Sequence, residues 1–277
     1  TASSSLVILI VFGMFVFLLK ESIPVFQDIS WKGFWLSADW NPTGWNGETY
    51  GIWGLLWGSF FVTAVTLLIS VPIGIACALF LAEIVPEKIQ VFLKPAIELL
   101  AGIPSVVMGF IGLVMVGPLI ATLFQQPNGL SVLNGSIILS IMVLPTIISL
   151  SEDAIRGVPD EFRLASLAMG ATPLATLFRV VIPAAKSGIF AAVMLGMGRA
   201  IGETMAVLMA CGNTPEIARS LFDPVRTLTS VIAVEMGEVA YDTTPYYALF
   251  NLGLYLFIIS FAINQLVDHL VRKGRTH

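Results

Sequence analysis

The chain has 277 residues, of which 57% are hydrophobic and only 12% are charged, and its mean hydropathy is +0.90. A soluble domain carries about twice that share of charged residues, so the composition indicates an integral membrane protein. The formal net charge of −4 therefore says little about partners and gives no reason to expect nucleic acid. Cys77 and Cys211 do not make a disulfide framework, and His269 and His277 have no Cys or carboxylate cluster nearby, so we predict neither a disulfide framework nor a metal site.

Six apolar stretches are long enough for membrane helices. They cover roughly residues 5–19, 56–82, 99–124, 132–150, 187–210 and 246–268. The first is short and lacks the basic segment that usually precedes a signal peptide, so we expect a membrane helix whose front end is missing from this sequence. The sequence therefore predicts an all-α integral membrane protein with six transmembrane helices.

The basic residues divide unequally between the two sets of loops that six spans create. Cytoplasmic loops carry the excess of Lys and Arg. The richer set is Lys88, Lys94, Arg156, Arg163, Arg179, Lys186, Arg272, Lys273 and Arg275. The poorer set is Lys20, Lys32, Arg219 and Arg226. We expect the richer set in the cytoplasm, which places both termini there as well.

All six tryptophans lie in or beside the first external segment, residues 20–55. They are Trp31, Trp35, Trp40, Trp45, Trp53 and Trp57. An aromatic belt at the membrane interface explains Trp53 and Trp57. The others share a turn-rich stretch, and they form either part of the same belt or part of a docking surface, because Trp is enriched where proteins bind each other.

Residues 151–186 form the longest cytoplasmic insertion. Pro159, followed by two acidic residues, predicts a helix start, and Gly170 ends that helix. Thr172 and Pro173 then cap a second short helix, with Pro at its first position. Two amphipathic helices joined at a glycine form a knob that suits a groove on another protein. The alternative is an ordinary linker packed on its own bundle.

Arg199 and Glu203 are the only charges in the apolar stretch 188–210. Arg199 lies eleven residues from either end, so in one continuous helix about 16 Å separates it from each margin, close to the middle of a bilayer core of roughly 30 Å. An intramembrane arginine usually faces a polar cavity, a partner or a substrate, and its planar fork suits an oxyanion. The alternative is a structural pair, since residues i and i+4 share a helix face.

Several motifs carry a resemblance to a known family. Gly170, nine further residues and then Val180-Val181-Ile182-Pro183 resemble the cytoplasmic EAA loop of ABC importer permeases. The triplet itself stands here as Leu164-Ala165-Ser166, with Glu161 three positions earlier. Residues 97–105 (IELLAGIPS), Leu144-Pro145 with 153–159, and 198–207 (GRAIGETMAV) are similar to phosphate (Pst) permeases. The ending Thr-Met-Ala-Val, with Gly212-Asn213 beyond it, resembles the PstC-type subunit.

This resemblance implies a MetI-like permease fold, a single permease domain that forms half of the translocation path of an ATP-driven phosphate importer in the bacterial plasma (inner) membrane. It implies as partners a PstA-type sister permease, a PstB-type ATPase dimer that holds ATP and Mg, an external PstS-type phosphate-binding protein and membrane lipid. The chain lacks the phosphate-loop motif G-x-x-x-x-G-K-[ST]. We therefore expect a transporter subunit that binds no cofactor of its own and is not an enzyme.

The candidate residues form two groups. The substrate path is expected to include Arg199, Glu203, Thr204 and Ser105, with Glu203 tuning the site rather than binding the anion. Coupling to the ATPase is expected to involve Glu161, Ala165, Ala168, Gly170, Ala171 and Pro183. Hydroxyls such as Ser105, Thr146, Ser149 and Thr204 are also explained by helix packing.

Two other functions stay open at this point. One is a related permease for another oxyanion, sulfate or molybdate. The other is an ion-coupled carrier that uses Arg199 and Glu203 as a gating or proton-relay pair.

Overall fold

The computed structural model describes residues 2–42, 44 and 47–274. Trp45, Arg275 and His277 therefore lie outside the described residues. The first half contains α1 (Ala2–Ser22), α2 (Val25–Asp28), α3 (Trp31–Leu36), β1 (Trp40–Asn41), β2 (Thr49–Tyr50), α4 (Trp53–Leu79), α5 (Glu87–Ala101), α6 (Ser105–Ile111) and α7 (Gly117–Phe124). The second half contains α8 (Val132–Arg156), α9 (Asp160–Ala168), α10 (Pro173–Thr176), α11 (Ile182–Gly202), α12 (Met205–Ala210), α13 (Leu228–Glu235) and α14 (Thr244–Gly274). Single π-helical turns, Phe80–Ile84, Gly112–Val116 and Leu177–Val181, extend or join these helices.

Six helical stretches within the described residues are long and apolar enough to cross a membrane. They are Ser5–Asp28, Trp53–Ile84, Ser105–Phe124, Val132–Arg156, Pro173–Gly202 and Thr244–His269. Each overlaps one of the six predicted spans, which confirms the all-α membrane architecture.

The third predicted span, 99–124, begins too early. A separate helix, α5, ends at Ala101, and the chain is non-helical until α6 begins at Ser105. Pro104 explains the break, because a proline disfavours helical geometry in the residue before it. We had assigned most of α5 to a cytoplasmic loop, so this helix was not predicted.

The fifth predicted span, 187–210, is wrong at both ends. The helix runs from Pro173 through the π-helical turn into α11 and stops at Gly202, and α12 begins only at Met205. Pro183 is tolerated inside this run because it lies two residues after the π-helical turn, which relaxes the regular pattern of hydrogen bonds. Arg199 consequently lies in the last turn of its helix and not at the centre of a continuous one.

The chain divides into two compact units, which we call unit A and unit B. Unit A comprises Thr1–Val62, Gly109–Gly135 and Gly202–Phe261, and unit B comprises Thr63–Met108, Ser136–Ile201 and Ala262–His277. Each unit has a hydrophobic core of its own.

The core of unit A contains part of the tryptophan-rich segment. Strands β1 and β2 pair antiparallel, with Trp40 opposite Tyr50, and Trp40 is only 2% exposed. Its indole Nε1–H donates to the Glu235 carboxylate at 2.8 Å, and Arg226 pairs with the same carboxylate at 3.2 Å. Burial raises the pKa of Glu235, although both partners oppose that shift. Trp40 is therefore a core residue, which fits neither the interface belt nor the docking surface considered for it, whereas Trp31, Trp53 and Trp57 are exposed.

The core of unit B forms where α4, α8 and α11 approach closely. Ile147 and Val143 of α8 are buried with Ala200 of α11. Gly196 of α11 faces these two α8 residues so closely that a Cβ added there would lie 2.8 Å from Val143 Cγ1. Small residues at such contacts let membrane helices pack backbone to backbone, and this packing fixes the part of α11 that carries Arg199.

Candidate anion site and coupling segment

Arg199 is half-buried near the end of α11, and two neighbouring elements of unit B orient its guanidinium. Nη1 donates to the Thr146 hydroxyl of α8 at 3.2 Å, and Nη2 donates to the Ala101 carbonyl at the end of α5 at 3.4 Å. Both acceptors are neutral, so they fix the direction of the fork without cancelling its charge. A guanidinium has five N–H donors, and one at each terminal nitrogen is used in these two bonds.

Glu203 and Thr204, in unit A, occupy the non-helical step between α11 and α12. The Glu203 carboxylate accepts hydrogen bonds from the backbone N–H groups of Thr204 at 3.1 Å and Ala206 at 3.4 Å. It thus caps the first turn of α12, where free N–H groups need acceptors. The premise that Arg199 and Glu203 share the face of one helix is wrong, because α11 ends between them.

The remaining predicted hydroxyls have local roles. Ser105 is the half-buried first residue of α6. Ser149 of α8 donates a long hydrogen bond, 3.4 Å, to the Glu98 carboxylate of α5, and the Thr204 hydroxyl donates to the Gly202 carbonyl at 3.4 Å. Of the predicted polar groups, Thr146 is thus the one with a hydrogen bond to Arg199 in unit B.

An ionic cluster between α5 and α8 was missed by the sequence analysis. Its centre is Glu152, whose side chain is 1% exposed. The carboxylate accepts hydrogen bonds from Gln90 Nε2 at 2.8 Å and Lys94 Nζ at 2.6 Å, and it pairs with Arg156 one turn further along α8. Lys94 also contacts the exposed Asp153 at 2.8 Å, and these hydrogen bonds, first to Asp153 and then to Glu152, raise the pKa of Lys94 above its usual value.

The cluster had a sequence signal. Gln90, Lys94, Glu98 and Ala101 follow one another at intervals of four, four and three residues, which places them on one face of a helix. The intervening positions are mostly apolar, so the period indicated an amphipathic helix where only a basic loop was predicted.

The coupling segment, residues 151–186, contains the two predicted short helices. Gly170 stands between α9 and α10 with a φ of +84°, and the Thr172 hydroxyl accepts from the Ala175 N–H at 3.2 Å with Pro173 at the first helical position. The predicted glycine break and N-cap are therefore confirmed. The Ser166 and Thr176 hydroxyls bond at 2.9 Å and tie the two helices together.

The outer surface of this segment carries many apolar side chains. No described side chain of α9 is buried, and Met169 at its end is 88% exposed. Other exposed apolar side chains are Phe162, Leu164, Leu167, Leu174 and Phe178. Of the predicted coupling residues, Ala171 is half-buried, whereas Glu161, Ala165, Ala168, Gly170 and Pro183 are exposed.

Arg163 fastens the coupling segment to the helices of unit B. Its guanidinium contacts Glu83 at 2.9 Å, at the end of the α4 run, and Asp160 at 3.0 Å. It also donates to the Ile155 carbonyl at 3.0 Å and to the Val158 carbonyl. The contacts of Arg163 therefore hold the segment with the exposed apolar side chains against unit B.

Comparison with known proteins agrees with this architecture. Residues 70–275 match the family described as binding-protein-dependent transport system inner membrane component. The chain is 43% identical to a probable ABC transporter permease protein, YqgH, of Bacillus subtilis, over 87% of this chain and 78% of that one. It is 34% identical to the phosphate transport system permease protein PstC of Mesorhizobium japonicum, over 98% of this chain and 88% of that one.

A solved structure of the MetNI methionine ABC transporter in an inward-facing conformation has a chain with the same fold. The TM-score is 0.61 at 19% identity, with 80% of this chain and 97% of that chain covered. This likeness confirms the MetI-like fold predicted from the sequence, and the family match confirms the predicted transport subunit. The chain belongs to the family of binding-protein-dependent transport system inner membrane components.

Proposed function

We propose that this chain is one of two permease subunits of an ATP-driven phosphate importer and that Arg199 forms part of the path of the anion. The observation that carries the proposal is the Arg199 fork. It lies in an otherwise apolar part of α11 and is oriented by two neutral acceptors on α8 and α5. Phosphate carries roughly one to two negative charges near neutral pH. An oriented guanidinium binds such an anion through paired hydrogen bonds, and the PstC relatives transport phosphate by name.

Ser105, Glu203 and Thr204 belong to the same proposal. Each lies at or beside an interruption in a helix, 102–104 or 203–204. Non-helical backbone at membrane depth is tolerated where it is buried in protein or lines a water-filled cavity, which supports a place on the path. Glu203 repels an anion when ionised, so its proposed role is to limit how tightly the site holds phosphate.

The test is ATP-dependent uptake of radiolabelled phosphate by vesicles that contain the full complex. Arg199→Ala is expected to abolish uptake while the complex still assembles, and Arg199→Lys to retain part of it, because lysine keeps the charge but loses the fork. Arg219→Ala, at an exposed arginine of unit A, is the matched control. Wild-type uptake by an assembled Arg199→Ala complex would overturn the proposal. Competition by sulfate or molybdate measures whether the path prefers phosphate.

The coupling segment supports a second part of the proposal, a cytoplasmic ATPase as partner. Its exposed apolar side chains suit a groove on that ATPase, and the proposed contact includes Glu161, Ala165, Ala168, Gly170, Ala171 and Pro183. The ATPase dimer, of PstB type, holds ATP and Mg. This arrangement puts residues 151–186 and both termini in the cytoplasm, in agreement with the distribution of Lys and Arg. A PstA-type sister permease and a PstS-type binding protein complete the proposed complex in the inner membrane.

A cysteine crosslink tests this contact. Cysteines at Ala168 and Ala171 are expected to crosslink to the ATPase, and the parent chain, with its free Cys77 and Cys211, gives the background. If no position between 161 and 177 crosslinks, the docking assignment is wrong.

A further inference from the structure

Helix α5 is seated on α8 by its polar face. The residues that point to α8 are Gln90 and Lys94, which bond Glu152, and Glu98, which accepts from Ser149. Apolar side chains of α5, such as Phe92 and Leu99, are exposed instead. Hydrophobic burial therefore contributes little to this contact, and the ionic cluster around Glu152 determines where α5 lies along α8.

Glu152 is the buried centre of that contact. Its three partners, Gln90, Lys94 and Arg156, satisfy a carboxylate that has almost no access to water. A buried charge is tolerated only when it is paired and hydrogen-bonded. Any shift of α5 against α8 would break these bonds, so the cluster fixes the register of the two helices.

The same two helices supply both acceptors of Arg199. Thr146 lies six residues before Glu152 on α8, and Ala101 lies seven residues after Lys94 on α5. Each spacing is about 10 Å of helix. The Glu152–Lys94 contact and the two hydrogen bonds of Arg199 therefore join the same two helices at points about 10 Å apart. The distance between the two Arg199 acceptors therefore depends on the contact at Glu152.

The chain of contacts also continues from α8 to the coupling segment. Arg163 of α9 donates to the Ile155 carbonyl, three residues beyond Glu152 on α8, and to Glu83. A displacement of the coupling segment thus acts on the end of α8 that carries the ionic cluster.

We propose that Glu152 is a positioning residue of the transport site. It holds α5 on α8, so that the Arg199 fork keeps its direction and moves together with the coupling segment. This inference rests on the proposed role of Arg199 in the anion path. Glu152 does not touch the anion; it acts through Lys94, Gln90 and the two acceptors of Arg199.

The test compares Glu152→Gln with Asp153→Asn in the reconstituted full complex. Both substitutions remove a carboxylate that contacts Lys94, but Asp153 is 58% exposed and its loss leaves the buried cluster intact. Glu152→Gln is expected to raise the half-saturating phosphate concentration about tenfold, the factor for loss of a hydrogen bond to a charged group. It is also expected to lower the phosphate moved per ATP hydrolysed, whereas Asp153→Asn changes neither.

These measurements separate positioning from mere stability. A purely structural role would reduce the amount of assembled complex but leave the half-saturating concentration and the transport-to-ATP ratio of the assembled fraction at wild-type values, and that result would overturn the inference. Lys94→Gln, at a less buried partner, serves if Glu152→Gln fails to assemble, with the same direction expected and unchanged values again contradicting us. Arg199→Ala, measured in parallel, distinguishes the failures. If Arg199→Ala transports normally, the proposed function itself fails. If Arg199→Ala abolishes transport but Glu152→Gln leaves both measured values unchanged, this inference alone fails.

Discussion

Gly196→Ala examines the close contact that sets the position of Arg199. The added Cβ would lie 2.8 Å from Val143 Cγ1 and 2.9 Å from Ile147 Cγ1, whereas ordinary contact begins at 3.4 Å, so α11 must move by 0.5–0.6 Å or α8 must repack. Overpacking of this kind costs about 1–3 kcal/mol. Thr146 lies between the two clashing residues, and the same shift would stretch its 3.2 Å bond to Arg199 beyond the roughly 3.5 Å at which a hydrogen bond is lost.

Gly198→Ala is the matched control, because a Cβ there meets nothing within 4 Å. Both substitutions gain the same helix propensity, about 1 kcal/mol, so that term cancels in the comparison. We expect Gly196→Ala to have a lower thermal unfolding midpoint in detergent and reduced phosphate uptake, and Gly198→Ala to match or exceed the wild type in stability. Equal midpoints and equal uptake for the two variants would refute the argument from close packing.

Two further substitutions test features of the individual units. Trp40→Phe removes the hydrogen bond to the buried Glu235 carboxylate and is expected to cost about 2 kcal/mol, measured as a lower unfolding midpoint, whereas Trp53→Phe, at a residue that is 54% exposed, is expected to leave it unchanged. Gly170→Ala places a side chain at a φ of +84° with a penalty of roughly 1–2 kcal/mol; amide exchange in α9 and α10 should quicken about tenfold, and less for Gly170→Asn, since asparagine tolerates this conformation better. Unchanged exchange in the alanine variant would show that the turn is not strained.

The sequence predicted most strongly where one physical signal dominates. Long apolar stretches identify membrane helices because hydrocarbon accepts little else, and Gly170, Thr172 and Pro173 fix a turn and a cap by local chemistry alone. The family motifs around residues 97–105 and 198–207 likewise led to the permease fold.

Prediction failed where local and tertiary effects compete. The apolar stretch 188–210 looked continuous, but the helix is interrupted at Glu203 and Thr204, where the Glu203 carboxylate caps the next helix instead. The spacing of Gln90, Lys94 and Glu98 indicated helix α5, but Glu152, which binds the first two of these, lies 62 residues after Gln90, and no local property of 87–101 reveals that partner. Arg199 was recognised as unusual, but its contact with Ala101 could not be predicted, because that contact uses a backbone carbonyl, which every residue type offers.

The inward polar face of α5 has a consequence for how the protein is made. Gln90 and Lys94 cannot meet Glu152 until the ribosome has added 62 residues after Gln90 and 58 after Lys94, which takes roughly 3–12 s at bacterial elongation rates. During that interval α5 has an apolar face suited to acyl chains and a polar face suited to headgroups, and such a helix rests in the plane of the membrane surface. The arrival of α8 then draws α5 into place. We therefore expect biogenesis of this protein to include a step in which α5 waits at the membrane surface until the end of α8 that carries Glu152 has been made.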